Sequence, residues 1–292
     1  MMEIRPQDKT IGFIGTGVMG CSMAANLMKA GCSLHVHNRT PSKCEALLDK
    51  GAAWEGTVSG LAKKCDLVIT MVGFPRDVGE VYLGEEGLIQ NAEPGTYLID
   101  MTTSKPDLAE EIHRRAGDRG CRALDAPVSG GDKGAREATL SIMVGGDRQD
   151  FDALMPLFRI LGKNIVYQGE AGSGQHTKMC NQIAIAAGMM GVCEAIRYAQ
   201  ESGLDPQTVL ESIESGAAGS WSLSNLGPRM IAGDFDPGFY VKHFIKDMTI
   251  ASESAKGMGL ETPGLNLAKA MYEELAQKGF EQDGTQALFR LY

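Results

Sequence analysis

An open, mostly parallel α/β domain followed by an all-helical domain is the architecture that this sequence predicts. Up to residue 170, short apolar runs of strand length alternate with segments of helical period. Beyond it no run of strand period occurs, and only helical periodicity remains. The first pattern builds a parallel sheet with helices on both faces, and the second packs as helices alone. The expected domains are residues 1–170 and 171–292.

Thr10–Ile14 is a short apolar strand, and Val18–Ala30 is a helix that stops at Gly31. Leu34–His37 is the second strand. Ser42–Lys50 is expected to be helical, with Ser42 placed to cap it and Gly51 to end it. Asp66–Val72 (DLVITMV) is a buried-strand run. Thr96–Asp100 and Ala123–Asp125 are further strands, with Pro106–Ala116 a helix between them. Ser141–Val144 and Asn164–Tyr167 complete the strands. Gln175–Ser202 then forms one long proline-free helix whose IAIAAGMMGV segment is apolar nearly all round. That pattern predicts a largely buried helix. Asp205–Ser215, Ser222–Ile231, Phe239–Lys256 and Gly264–Gln277 are also helical.

Composition excludes several classes. A chain of 292 residues with 43% hydrophobic and 22% charged residues is globular rather than disordered. Its net charge of -9 argues against nucleic acid or an anionic membrane as a partner, though not against a local basic pocket for an anionic ligand. The seven cysteines include no C-x-x-C pair, so neither a disulfide framework nor a zinc site is indicated. Reduced thiols in the cytoplasm are expected. The first motif begins at Ile11, so no targeting peptide is expected. The unbroken apolar stretches fall short of the ~20 residues of a membrane span.

Residues 11–20 read IGFIGTGVMG. Gly15, Gly17 and Gly20 form G-x-G-x-x-G between a strand and a helix, the context of a Rossmann dinucleotide-binding turn. Gly15 permits the tight turn, Gly17 lets the backbone approach a pyrophosphate, and Gly20 lets helix pack on strand. The loop Gly15-Thr16-Gly17-Val18-Met19-Gly20 is assigned to cofactor, with the amides and dipole of the helix N-terminus facing the phosphates. An NAD site usually carries an acid at the end of the second strand. Here that place reads His37-Asn38-Arg39-Thr40-Pro41-Ser42-Lys43, and no acid occurs until Glu45. Arg39, with Asn38, Thr40 and Lys43, can instead hold a 2′-phosphate, which favours NADP over NAD. The alternative is that Arg39 is a solvated loop residue. In Asp100-Met101-Thr102-Thr103-Ser104-Lys105-Pro106, Thr103 or Ser104 either contacts the nicotinamide ribose or caps the next helix.

Asp125-Ala126-Pro127-Val128-Ser129-Gly130-Gly131 follows another strand. Ser129, Gly130 and Gly131 can present a hydroxyl and backbone amides to a carboxylate, or can be a plain glycine turn. In Gly172-Ser173-Gly174-Gln175-His176-Thr177-Lys178-Met179-Cys180-Asn181-Gln182, Lys178, Asn181 and Gln182 share one helix face. A lysine in the first turns of an apolar helix is poorly placed for the helix dipole and needs a partner or a task. Donating a proton to a carbonyl is one such task, and a snorkelling surface lysine is the alternative.

Four motifs in order, GFIGTGVMG, DAPVSGG, GSGQHTKMCNQ and KHFIKDM, resemble those of the β-hydroxyacid dehydrogenase family over essentially the whole chain. The resemblance implies a Rossmann domain plus a helical domain of 6-phosphogluconate dehydrogenase type, with the active site in the cleft between them. It implies Lys178 as the catalytic residue and Ser129, Gly130 and Gly131 as carboxylate binders. Asn181 or Gln182 would orient substrate, since some members place the key Asn four residues after the lysine, where this chain has Gln182. Lys246 is similar to a lysine that contacts cofactor, and Thr103 to a threonine beside the nicotinamide ribose.

The implied activity is NAD(P)-dependent hydride transfer, NADP favoured, between a small hydroxy acid and the aldehyde or keto acid. Lys178 would be general acid and base, and no metal is needed. Alternatives are an NAD-dependent 3-hydroxyisobutyrate dehydrogenase, an imine reductase, and a non-catalytic cofactor-binding module. The expected partners are a small carboxylate-bearing substrate and further copies of this chain in a dimer or tetramer. Trp221, Phe239 and Tyr240 are either pocket walls or, preferred here, core aromatics.

Overall fold

The computed structural model describes residues 3–292. They form two compact units, one ending at Lys178 and one running Met179–Tyr292. By packing, the division therefore falls inside a helix, later than residue 170.

The first unit opens with β1 (Thr10–Ile14), α1 (Val18–Lys29), β2 (Ser33–His37), α2 (Glu45–Leu48), β3 (Ala53–Trp54) and α3 (Val58–Ala62). Next come β4 (Leu67–Thr70), α4 (Pro75–Leu83), α5 (Leu88–Asn91), β5 (Tyr97–Asp100), α6 (Pro106–Asp118) and β6 (Arg122–Asp125). β7 (Val128–Ser129), α7 (Gly131–Glu137), β8 (Leu140–Gly145), α8 (Arg148–Leu161) and β9 (Gly162–Gly169) complete the sheet unit. The described residues make a nine-stranded sheet in the order β3-β2-β1-β4-β5-β6-β8-β7, with β9 on β8. β3 through β6 are parallel. β8 runs antiparallel to β6 and β7 and parallel to β9.

Because strand side chains alternate, both sheet faces are apolar and both are covered. Ile11, Phe13, Leu67, Ile69 and Ile99 meet α1 (Met23, Leu27) and α8 (Leu154, Leu157). Ile14, Val68 and Leu98 meet α3 (Leu61), α4 (Val78, Tyr82) and α6 (Ile112). Each such side chain contributes roughly 2 kcal/mol by leaving water. The parallel order carries the C-terminal ends of β1, β4, β5 and β6 to one edge.

The expected helix Ser42–Lys50 is not one helix. A 3₁₀ turn, Pro41–Cys44, precedes the short α2, and Ser42 caps nothing. Pro41 explains the early start, since its fixed φ suits a first helical position. Gly51 does end the segment, at φ +97.

The long helix α9 (Ser173–Glu201) begins in the first unit and continues into the second. There α10 (Pro206–Ile213), α11 (Trp221–Ile231), α12 (Val241–Gly257) and α13 (Pro263–Leu275) follow. Asp205 and Ser220 cap α10 and α11 through their side-chain oxygens. Ala186, Met189, Cys193 and Ile196 of α9 pack with Phe244, Met248, Leu265, Tyr272 and Leu288.

α9 is less buried than its composition predicts. Cys180, Ala184, Ala187, Gly188 and Gly191 form an exposed stripe at helical spacing. Its residues are small and apolar, so composition alone does not separate it from the buried face. By length and composition α9 would also pass as a membrane span, contrary to the sequence expectation, yet 44% of its most apolar window is buried inside the protein. A buried core helix meets the same test of length and hydropathy.

Candidate active site

The phosphate loop is built as its glycines require. Gly15 sits at φ +95, where a Cβ would collide with the Met71 carbonyl, and a Cβ on Gly20 would collide with the carbonyl of Gly15. A Cβ on Gly17 would meet nothing within 4 Å. Gly17 is the N-cap of α1, and no side chain caps that end. The first-turn amides therefore have no side-chain cap and stand at a positive dipole end, which fits the phosphates of a dinucleotide. Asn38 steadies the loop: its Oδ1 accepts the Thr16 amide at 3.1 Å and its Nδ2 donates to Thr40 O at 2.9 Å. Beneath, Thr16 Oγ1 lies 3.2 Å from the buried Cys44 Sγ.

Arg39, Thr40 and Lys43 are exposed at the end of β2. The Arg39 guanidinium, though largely in solvent, donates to Asp77 Oδ1 at 3.0 Å. Asp77 lies in α4 and is buried, and its Oδ2 accepts the Phe74 amide at 3.1 Å.

The three loops that follow β5, β6 and β9 are joined by buried hydrogen bonds. Asp125, the last residue of β6, accepts the Gly172 amide on Oδ1 and the Gln175 amide on Oδ2, each at 2.8 Å. Its carboxylate thus occupies the N-terminal end of α9. Burial raises the Asp125 pKa, while these amide bonds act to lower it. Gln175 is fully buried, and its side chain donates to Thr102 O at 2.7 Å and accepts from Ser104 N at 2.9 Å. Neither Thr103 nor Ser104 caps α6, whose N-cap is Lys105 followed by Pro106. Asp100, opposite Asp125 in the ladder, accepts Thr70 Oγ1 at 2.7 Å and the Thr102 amide at 3.1 Å. Burial, with the Asp125 charge adding to it, pushes the Asp100 carboxyl up to about 6.

Lys178 lies one turn beyond Gln175 on α9. It is 7% exposed, and its Nζ donates to Val128 O at 2.9 Å. The snorkelling alternative is therefore not what the fold adopts. Val128 precedes Ser129 in β7, and Gly130 and Gly131 turn at φ +134 and +63 into α7. Lys178 and the Ser-Gly-Gly turn are thereby held together.

On the next turn of α9, Asn181 Nδ2 donates to Gln182 Oε1 at 2.7 Å. Gln182 is fully buried and donates from Nε2 to Asp247 Oδ2 at 2.6 Å. Asp247 Oδ1 lies 2.9 Å from Lys246 Nζ. Both ends of the Gln182 amide are thus engaged inside the second unit, and Asn181 is the more accessible amide.

Comparison with known proteins places the chain in a family. Residues 10–169 match the family described as the NAD binding domain of 6-phosphogluconate dehydrogenase. Residues 172–292 match the NAD-binding domain of NADP-dependent 3-hydroxyisobutyrate dehydrogenase. An uncharacterized oxidoreductase of Bacillus subtilis, YkwC, is 62% identical over 97% of this chain and 99% of its own length. This chain belongs to the β-hydroxyacid dehydrogenase family. It is an NAD(P)-dependent oxidoreductase acting on CH–OH groups. An Arabidopsis thaliana relative, probable 3-hydroxyisobutyrate dehydrogenase-like 1, mitochondrial, is 47% identical over 98% of this chain and 85% of its own. Among solved structures, Mycobacterium tuberculosis 3-hydroxyisobutyrate dehydrogenase with L-serine has a TM-score of 0.88 at 30% identity, covering 100% of this chain and 99% of that one.

The sequence motifs name candidate ligand-facing residues for this dehydrogenase but not the residues that hydrogen-bond to them. Asp77, Asp125, Gln175 and Asp247 are the missed ones. Asp125 and Gln175 sit inside quoted motifs, so their position was the available signal. Of the three aromatics, Phe239 packs on Phe244 at 5.6 Å, and Tyr240 meets His243 edge-on. Trp221 is 56% exposed and is not a core residue. Among the described residues, no group of three or more His, Cys, Asp or Glu is arranged to hold a metal ion.

Proposed function

We propose that this dehydrogenase interconverts a small 3-hydroxy acid and the corresponding aldehyde or keto acid, with Lys178 as general acid and base and NADP(H) as the preferred cofactor. The observation that carries the reading is a buried lysine whose Nζ is bonded to the carbonyl just before Ser129-Gly130-Gly131. When bound, the dinucleotide supplies or takes up the hydride at the substrate carbon. Gly15, Thr16, Gly17, Val18, Met19 and Gly20 would hold its phosphates, Asn38, Arg39, Thr40 and Lys43 its adenosine end, and Thr103 and Lys246 would add contacts. The Ser129 hydroxyl and the amides of Gly130 and Gly131 would hold the substrate carboxylate, with Asn181 orienting the reacting carbon and Gln182 fixing Asn181.

In reduction the Lys178 ammonium gives a proton to the carbonyl oxygen as negative charge develops there. In oxidation the neutral amine takes that proton from the hydroxyl. An ammonium carries three donors, so holding Val128 O and serving a substrate oxygen are compatible. Burial strengthens the interaction with the developing charge.

The 3-hydroxyisobutyrate for which relatives are named, and the L-serine present with one of them, are both small 3-hydroxy acids, which supports this substrate class. The exposed small-residue stripe of α9, with Tyr198 and Leu267 also exposed, supports a homo-oligomer. Seven free thiols support a reducing, cytoplasmic setting. The test follows NADPH absorbance with 2-hydroxy-3-oxopropionate, and NADP+ reduction with L-serine and 3-hydroxyisobutyrate, each beside NAD(H). Turnover on at least one, faster with the phosphorylated cofactor, is expected. Tight cofactor binding with no turnover on any would contradict the reading.

A further inference from the structure

Two guanidinium groups converge on one carboxylate oxygen beside the phosphate loop. Arg39 donates to Asp77 Oδ1 at 3.0 Å, and Arg76 Nε lies 3.9 Å from the same oxygen. The Arg76 guanidinium also lies over the Phe74 ring, 5.8 Å from its centroid. Asp77 is fixed, being buried and tied through Oδ2 to the Phe74 amide. The arginine side chains are by contrast 78% and 83% exposed.

Exposed pairs of this kind contribute little to folding, and two like charges drawn to one oxygen repel each other. The cluster keeps one net positive charge, presented to solvent at the end of β2. Arg39 follows Asn38, whose side chain accepts the Thr16 amide of the phosphate loop. The end of the second strand is where open sheets of this kind read the ribose 2′ position.

We propose that Arg76 is a second cofactor-selecting residue, which with Arg39 forms a two-guanidinium seat for the 2′-phosphate of NADP. A phosphate monoester near neutral pH carries between one and two negative charges, and guanidinium donors suit its oxygens. A bare ribose hydroxyl would leave the positive cluster unmatched. The proposal rests on the dinucleotide site described above, and it names a residue from α4, well away in sequence from the loop after β2.

The test is binding, not turnover. NADP+ and NAD+, which differ only in the 2′-phosphate, are titrated calorimetrically into the wild-type protein, Arg76→Ala and Arg76→Lys. The expected result is a wild-type preference for NADP+ that Arg76→Ala lowers about tenfold, as for loss of one charge-assisted contact, with Arg76→Lys intermediate. The NAD+ titration of each variant reports whether it is folded and competent. An unchanged NADP+/NAD+ ratio in Arg76→Ala overturns the proposal and leaves the dinucleotide site standing. Equal wild-type affinities overturn it as well. If neither cofactor binds the wild-type protein, the dinucleotide site and the proposal fall together.

Discussion

Two helices begin at the same edge of the sheet, and their N-termini are finished in opposite ways. At α1 the cap is Gly17, no side chain covers the amides, and a Cβ would meet only open space. At α9 the chain supplies its own anion, the Asp125 carboxylate, which accepts two amides there. Both ends have the same dipole and the same orphan N–H groups. The difference is what fills them. The open end can receive a ligand's phosphates, whereas the filled end cannot. It makes a rigid mount, and Lys178 stands on that mount one turn after Gln175.

This contrast can be broken from either side. Asp125→Ala should give the largest loss of stability. It leaves two buried amides without an acceptor, at a cost of about 4 kcal/mol in all. Urea denaturation should show this, together with a fall in kcat as Lys178 loses its register. Stability within about 0.5 kcal/mol of wild type would mean that the mount is not structural.

Asp100, the ladder neighbour of Asp125, gives a pH-dependent effect. Its carboxyl keeps its proton to about 6 in the fold, whereas an unfolded aspartate ionises near 4. Its contribution is complete below pH ~4 and is lost as pH rises through about 6, because only the unfolded chain has ionised in between. The full span is about 3 kcal/mol, and Asp100→Asn should remove it. Denaturation of both proteins at pH 4.5 and pH 7.5 checks this. Parallel pH dependence in the two would contradict the assignment.

The smallest effect belongs to the open end. Gly17→Ala should leave the melting temperature nearly unchanged, since its Cβ meets nothing. It should weaken dinucleotide binding by about tenfold, by filling the space where the backbone approaches the phosphates. Gly20→Ala should instead destabilise the fold, because its Cβ would strike the Gly15 carbonyl. Equal behaviour of the two variants, in melting and in cofactor titration, would erase the distinction drawn between these glycines.

The open end is the part most legible in the sequence. G-x-G-x-x-G reports backbone needs by local spacing, although Gly15 is also required by the close approach of the Met71 carbonyl. The strands are legible for the same reason: a run such as Leu67–Ile69, buried on both faces, is apolar throughout. The supports are harder to see, because each joins distant segments. Asp77 meets Arg39 from 38 residues away, and Asp125 meets Gln175 from 50. No local pattern encodes such a pair. The amphipathic α8, with Pro156 inside it, is absent from the expected helices for a local reason: an internal proline reads as a helix break. The exposure of α9 escapes composition because its outward stripe is as apolar as its buried face.

If the filled helix end carries the proton donor while the open end only binds, loss of the lysine and loss of cofactor are separable. Lys178→Ala, assayed for kcat on whichever substrate the wild-type protein turns over and for cofactor affinity by titration, tests it most directly. A fall in kcat of about 10²–10⁴-fold with cofactor affinity nearly unchanged is expected. A rate close to wild type, or a loss explained wholly by weaker cofactor binding, would contradict it.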